Sequence, residues 1–287
     1  MSLSRGAPKK PPQPFHRLPS IRYLHGTHIA LKSNIPQYRS SRMSTDPIRF
    51  NKAVSAAHAT TSSITALLLL RYASWPILPS QRSAPQDAQG KSHHLDDSRN
   101  PTINGHNKLA NALTAWETAY LLYDTYAMIH ARRKKDQSAV RAALRVVARD
   151  SPITLVHHVL LSSALLVLQA YIAAGKEKGM WVITAFLLMN GSTPLMHARW
   201  WNRQRTGASN TALDMAFLAT FAVSRFGVVY WILTKYGQHH GLGPCQAYAM
   251  LRKRCQTGTA MLVGLNAIWW TMLAFNIAKR NIKRRIH

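Results

Sequence analysis

Acidic residues are scarce in this chain: ten Asp and Glu stand against 37 Lys and Arg, a formal net charge of +27. Cysteine is nearly missing. Cys245 and Cys255 alone cannot build a disulfide framework or a cysteine-rich zinc cluster. Charge of either sign is also missing from several long internal stretches, and that gap is the most informative one. A strongly basic chain first suggests a soluble nucleic-acid binder. Here, however, the cations are confined to tails and loops, so a membrane protein is expected and a nucleic-acid partner is not.

What lies between the charged segments is apolar and long. A bilayer-spanning helix needs about 20 mostly apolar residues. Six stretches meet that length: 53–79, 109–130, 152–174, 180–201, 211–235 and 258–278. The third, fourth and sixth are the most apolar. Arg71 interrupts the first, Glu117 and Asp124 the second, and Asp214 and Arg225 the fifth. A charge at a helix centre costs roughly 2.5–3.5 kcal/mol, so these residues must face protein or water. Arg71, near the end of its stretch, reads as a snorkelling side chain.

Six spans put both termini and the second and fourth loops on one side. That side holds roughly 25 Lys and Arg against about 10 in the other loops, which makes it cytoplasmic. The loop 131–151 is the most basic, with Arg132, Arg133, Arg141, Arg145 and Arg149 among its cations. The expected organisation is a disordered basic tail over 1–50, a membrane domain over 51–280 and a short basic tail over 281–287. Residues before Asp46 contain no acid, as in a mitochondrial transit peptide, but Pro8, Pro11, Pro12, Pro14 and Pro19 oppose the amphipathic helix such a signal needs. Met43 offers an alternative start. In the polar segment 80–108, His93, His94, Asp96 and Asp97 have metal-ligand chemistry, but a solvated loop explains them better and no metal is expected. Cys245 and Cys255 fall in the non-cytoplasmic loop 236–257, where a disulfide and a free thiol pair are both open.

Helix direction sorts the intramembrane polar groups by depth. At 1.5 Å per residue, Asp124 lies roughly 9 Å inside the cytoplasmic boundary and the His157–His158 pair roughly 8 Å. His197 and Arg199 fall at that level or just outside it. Deeper, Glu117, Asn190 and Arg225 share a layer about 18–21 Å in. Glu117 is the carboxylate expected to neutralise Arg225 there. An Asp beside a His fixes its tautomer and raises its basicity, so Asp124 with His157 or His158 is the candidate catalytic group.

These residues carry a family resemblance. Ala119-Tyr-Leu-Leu-Tyr-Asp124, which includes Tyr120, is similar to an aromatic segment ending in Asp. Leu155-Val-His-His-Val-Leu160 is similar to a His-His segment, and Asn190-Gly-Ser-Thr-Pro-Leu-Met-His-Ala-Arg-Trp200 to a Ser-Thr-Pro to Arg-Trp signature. The apolar segment 221–230 with Arg225 follows in the same order. Over about residues 50–280 the chain resembles the TLC-domain family, which includes translocon-associated TRAM proteins, ceramide synthases and smaller relatives. Asn190 stands where the family often has Glu, and His197 where it often has Asn. The His-Asp that follows the His pair in ceramide synthases does not follow here.

The resemblance, closest to the smaller relatives, implies an all-α bundle of six transmembrane helices around a polar-lined cavity. It also implies a role in membrane lipid homeostasis in the endoplasmic reticulum. Catalysis by His157, His158 and Asp124 is one expectation. Binding of a lipid or acyl chain by Tyr120, Glu117, Asn190, His197, Arg199 and Arg225 is the other. A ceramide-synthase-like transfer from acyl-CoA and a non-catalytic cargo or assembly role are the alternatives. No cofactor is expected, membrane lipids are the expected partners, and acyl-CoA is the candidate substrate.

Overall fold

The computed structural model describes residues 47–77 and 95–286. The N-terminal tail, His93 and His94 lie outside the described residues. Among the described residues the chain is helical apart from short connections and one isolated β-bridge between Ile77 and Gly105. In chain order the helices are α1 (Pro47–Tyr72), α2 (Pro101–Asn104), α3 (Lys108–Asp136), α4 (Val140–Asp150) and α5 (Pro152–Ala173). Then come α6 (Met180–Phe186) and α7 (Thr193–Thr206), joined by a 3-10 segment over Leu187–Ser192. A π turn over Val223–Gly227 likewise joins α8 (Thr211–Ala222) to α9 (Val228–His239). The short α10 (Pro244–Met250) and the long α11 (Lys253–Ile286) complete the chain.

Four helical runs are long and apolar enough to cross a membrane: Pro47–Tyr72, Pro152–Ala173, Thr211–His239 and Lys253–Ile282. The expected second and fourth stretches are also helical but do not join that set. The second carries Glu117 and Asp124 along α3. The fourth is divided into α-helical pieces of seven and 14 residues. Pro194 explains the division. Lacking an N–H, it cannot bond the Asn190 carbonyl four residues back, and the chain tightens so that the Thr193 N–H donates to that oxygen instead.

Three boundaries differ from expectation. α1 begins at Pro47, inside the expected tail, with proline at the helix start, where its missing donor costs nothing. The loop 131–151 holds a helix, α4, that buries Ala143 and Val147. Arg132 of α3 bonds Asp150 at the end of α4 and lies 3.8 Å from Asp136 of its own helix. α11 runs on to Ile286, through the expected C-terminal tail.

The buried face of α1 positions everything else. Ser55, His58, Ser62, Ala66 and Leu69 recur at three- and four-residue steps, one stripe of a helix. Its second half is small and apolar and packs with Ala110, Leu113 and Leu187. Its first half is polar. A second apolar cluster, with Trp181, Ala185, Met189, Val229 and Ile232, joins α6 to α9. Asn107 and Asn210 cap α3 and α8, each side-chain oxygen accepting a backbone N–H, at 3.0 and 3.2 Å.

Candidate functional site

The polar half of α1 meets α3 in antiparallel register. Each step toward the C-terminus of α1 is matched by an equal step toward the N-terminus of α3. Asn51 donates from Nδ2 to Asp124 Oδ1 at 2.7 Å. Two turns further on, His58 stacks on Tyr120, with ring centroids 3.6 Å apart and planes 11° from parallel. His58 Nε2 also donates to Glu117 Oε2 at 2.9 Å, and Ser62 Oγ donates to the same oxygen at 2.9 Å. The α6–α7 run crosses the other side of α1 with the same sense. His197 Nε2 and Ser55 Oγ share a hydrogen bond of 2.9 Å. Asn190 Nδ2 donates to Glu117 Oε1 at 3.0 Å, from the 3-10 segment that Pro194 enforces. The result is a polar seam through three helices, in which nearly every group has a partner.

Glu117 therefore does not neutralise Arg225. Its carboxylate is taken by His58, Ser62 and Asn190, and all three surround it at hydrogen-bonding distance. His58 is a seam residue that the sequence analysis does not single out. Yet Asn51, Ser55, His58 and Ser62 already stood at helical spacing, which was the available signal.

Asp124 and His158 do come together. His158 Nε2 lies 3.5 Å from Asp124 Oδ2. The opposite nitrogen, Nδ1, lies 3.2 Å from Thr125 Oγ1. The Thr125 hydroxyl already donates to the Leu121 carbonyl at 2.8 Å, so it can only accept from His158 Nδ1–H. Nε2 and the Asp124 carboxylate then face each other as two acceptors. Asn51 fixes the far carboxylate oxygen.

His157 turns the other way, as adjacent helical residues must. Its ring meets Trp269 of α11 edge-on, with centroids 5.7 Å apart. No hydrogen bond to its ring nitrogens is found among the described residues. Arg225 is a charged neighbour within electrostatic range. Its guanidinium lies 5.4 Å from the centre of the Phe221 ring, and its Nε is buried without a hydrogen-bond partner. Arg225 sits in the π turn, a distortion often found at functional positions.

Arg199 joins neither group. It donates from Nε to Asp214 Oδ1 at 2.6 Å and lies over the Phe217 ring, 4.6 Å from its centre. Arg203 and Arg280 converge on the same carboxylate at 3.4 and 2.9 Å. Asp214 thus binds α7, α8 and α11 together at one end of the bundle. The sequence reading treated Asp214 only as a costly charge, although its place in the first turn of α8 follows closely on the arginines of α7.

Among the described residues no group of three or more His, Cys, Asp or Glu side chains could hold a metal. Asp96 accepts the Ser98 N–H at 2.9 Å, which holds its carboxyl below the usual range. Asp97 Oδ1 meets His240 Nε2 at 3.0 Å. Cys245 and Cys255 are free, exposed thiols.

No curated protein and no solved structure matches this chain. A family does: the TLC domain, over residues 50–274, which takes in most of α1 and every residue of the polar seam. With a match across most of its length, the chain belongs to the TLC-domain family.

Proposed function

We propose that this chain is a multi-pass membrane protein of lipid homeostasis that holds a lipid or acyl chain beside His157 and Arg225. The arrangement that carries the proposal is the split between committed and uncommitted groups. Glu117 is held by His58 and Asn190, His197 by Ser55, and Asp124 by Asn51 with His158 beside it. His157, set edge-on to Trp269 of α11, and the buried Nε of Arg225 are left without hydrogen-bond partners among the described residues. A buried guanidinium calls for an anion or an ester oxygen, and a fatty acyl headgroup supplies either one in an apolar setting. In this reading six helical runs span the bilayer, with the basic α4 on the cytoplasmic side of the endoplasmic reticulum or a connected membrane. Tyr120, Glu117, Asn190 and His197 then shape the site from behind, Arg199 fixes α7 against α8, and Asp124 with His158 joins α3 to α5 beside it.

A ceramide-synthase-like acyl transfer is the second reading, favoured by the free imidazole of His157. That ring would take the proton of an attacking amine or hydroxyl as it adds to an acyl-CoA thioester, and the CoA thiol would leave. Arg141, Arg145 and Arg149 of α4 would attract the CoA phosphates.

Photo-crosslinking tests the common part. Cells making the protein are fed a clickable, photoactivatable fatty acid, and the labelled peptides of the purified protein are mapped. Label on α5 or α11 that falls severalfold in Arg225→Gln is expected. Label indifferent to Arg225→Gln contradicts the site.

A further inference from the structure

A cavity of about 660 Å³ lies at the end of the bundle where α1 and α9 finish and α6 begins. It is remote from Asp124, which bonds Asn51 at the other end of α1. Along α1 alone, Asn51 and Arg71 are separated by roughly 30 Å. The floor is apolar: Leu67 and Leu70 of α1, with Trp181 and Trp231, whose rings lie 5.0 Å apart. The rim is cationic, with Arg71 from α1 and Lys235 from α9, both exposed. No Asp or Glu lines it among the described residues. The nearest carboxylate behind Asn100, that of Asp97, is occupied by His240, Tyr236 and Asn100 itself.

We propose that this cavity binds the phosphate headgroup of an anionic phospholipid, independently of the site at His157. Two cations brought from separate helices to one mouth form a phosphate clamp, and charge-assisted bonds of this kind are the strong ones. A free inorganic anion would gain nothing from two indoles and two leucines. A lipid phosphate carries its own glycerol and acyl carbons into contact with them, and the volume falls within the range of small-molecule sites. Leu67 is 56% exposed and opens the floor sideways, so the acyl chains leave along the outer face of α1. Arg71 is therefore a ligand-binding residue rather than a side chain that merely snorkels.

The test uses the full chain in neutral detergent, with thermal unfolding followed against dioctanoyl phosphatidic acid, dioctanoyl phosphatidylcholine and inorganic phosphate. Phosphatidic acid should raise the midpoint saturably, while the other two should not at equal ionic strength. Arg71→Gln/Lys235→Gln should weaken the effect about tenfold or more, and Leu67→Trp, which fills the floor, should do the same if the charge variant unfolds. Arg141→Gln/Arg145→Gln and His157→Ala should leave it intact. Equal stabilisation by phosphatidylcholine, saturation by inorganic phosphate, or unchanged affinity in both cavity variants would overturn the proposal. Persistence of binding in His157→Ala keeps this result separate from any failure at the His157 site.

Discussion

Glu117 on α3 receives a hydrogen bond from His58 on α1 at 2.9 Å, and both side chains are almost completely shielded from solvent. The same carboxylate also takes Ser62 and Asn190, so three helical segments meet on one residue. A buried carboxylate is costly unless every lone pair has a partner, and here the partners come from elements far apart in sequence. The seam is thus a device for specifying how α1, α3 and the α6–α7 run dock.

Loss of the Glu117 carboxylate should therefore weaken the whole bundle. Glu117→Ala is expected to cost about 3 kcal/mol, measured as a lowered thermal midpoint in detergent. Moving the carboxylate across the seam, in Glu117→Gln/Asn190→Glu, leaves it within reach of Ser62 and should recover a substantial part. No recovery would show that the seam depends on more than having one acid among these partners.

Asp214 makes a sharper contrast between neighbouring charges. Asp214→Asn leaves Arg199, Arg203 and Arg280 facing one another, and should cost about 2–4 kcal/mol. Arg203→Gln, removing the longest and most exposed of the three contacts, should cost no more than about 0.5 kcal/mol. Unfolding midpoints of the two variants, compared side by side, check the order. A reversal would mean that Arg203 rather than Arg199 holds α7 to α8.

Arg225 should behave in the opposite way. A guanidinium with a buried, unpartnered Nε lowers the stability of the fold that holds it. Arg225→Met keeps the length and removes the charge, and should raise the unfolding midpoint by the equivalent of about 1–3 kcal/mol while abolishing fatty-acid labelling. A destabilised Arg225→Met would show that the cation serves packing.

Much of this was legible before any coordinates. Helix is found along each of the six apolar stretches, but only four helical runs are long and apolar enough to cross a membrane. Asp124 and His158 could be placed at one depth from helix direction alone. Depth, however, says nothing of azimuth. Glu117 and Arg225 fall at similar depth yet face different neighbours, and pairing them on depth was the error. His157 and His158 likewise differ by about 100° of rotation, which decides that one meets Asp124 and the other Trp269. The amphipathic α4 was hidden by its charge, since its buried face is only Ala143 and Val147, four residues apart and flanked by arginines. The 3-10 segment was foreshadowed by Pro194, but its effect on Asn190 depends on where α1 and α3 lie.

The account rests on His157, not His158, as the group that meets the lipid. The most direct test is the lipid profile of a strain lacking this protein, complemented at matched abundance with wild type, His157→Ala or His158→Ala. The account predicts an altered profile in the deletion that wild type restores and His157→Ala does not, despite normal amounts of folded protein, with His158→Ala giving partial restoration. Full restoration by His157→Ala would contradict it.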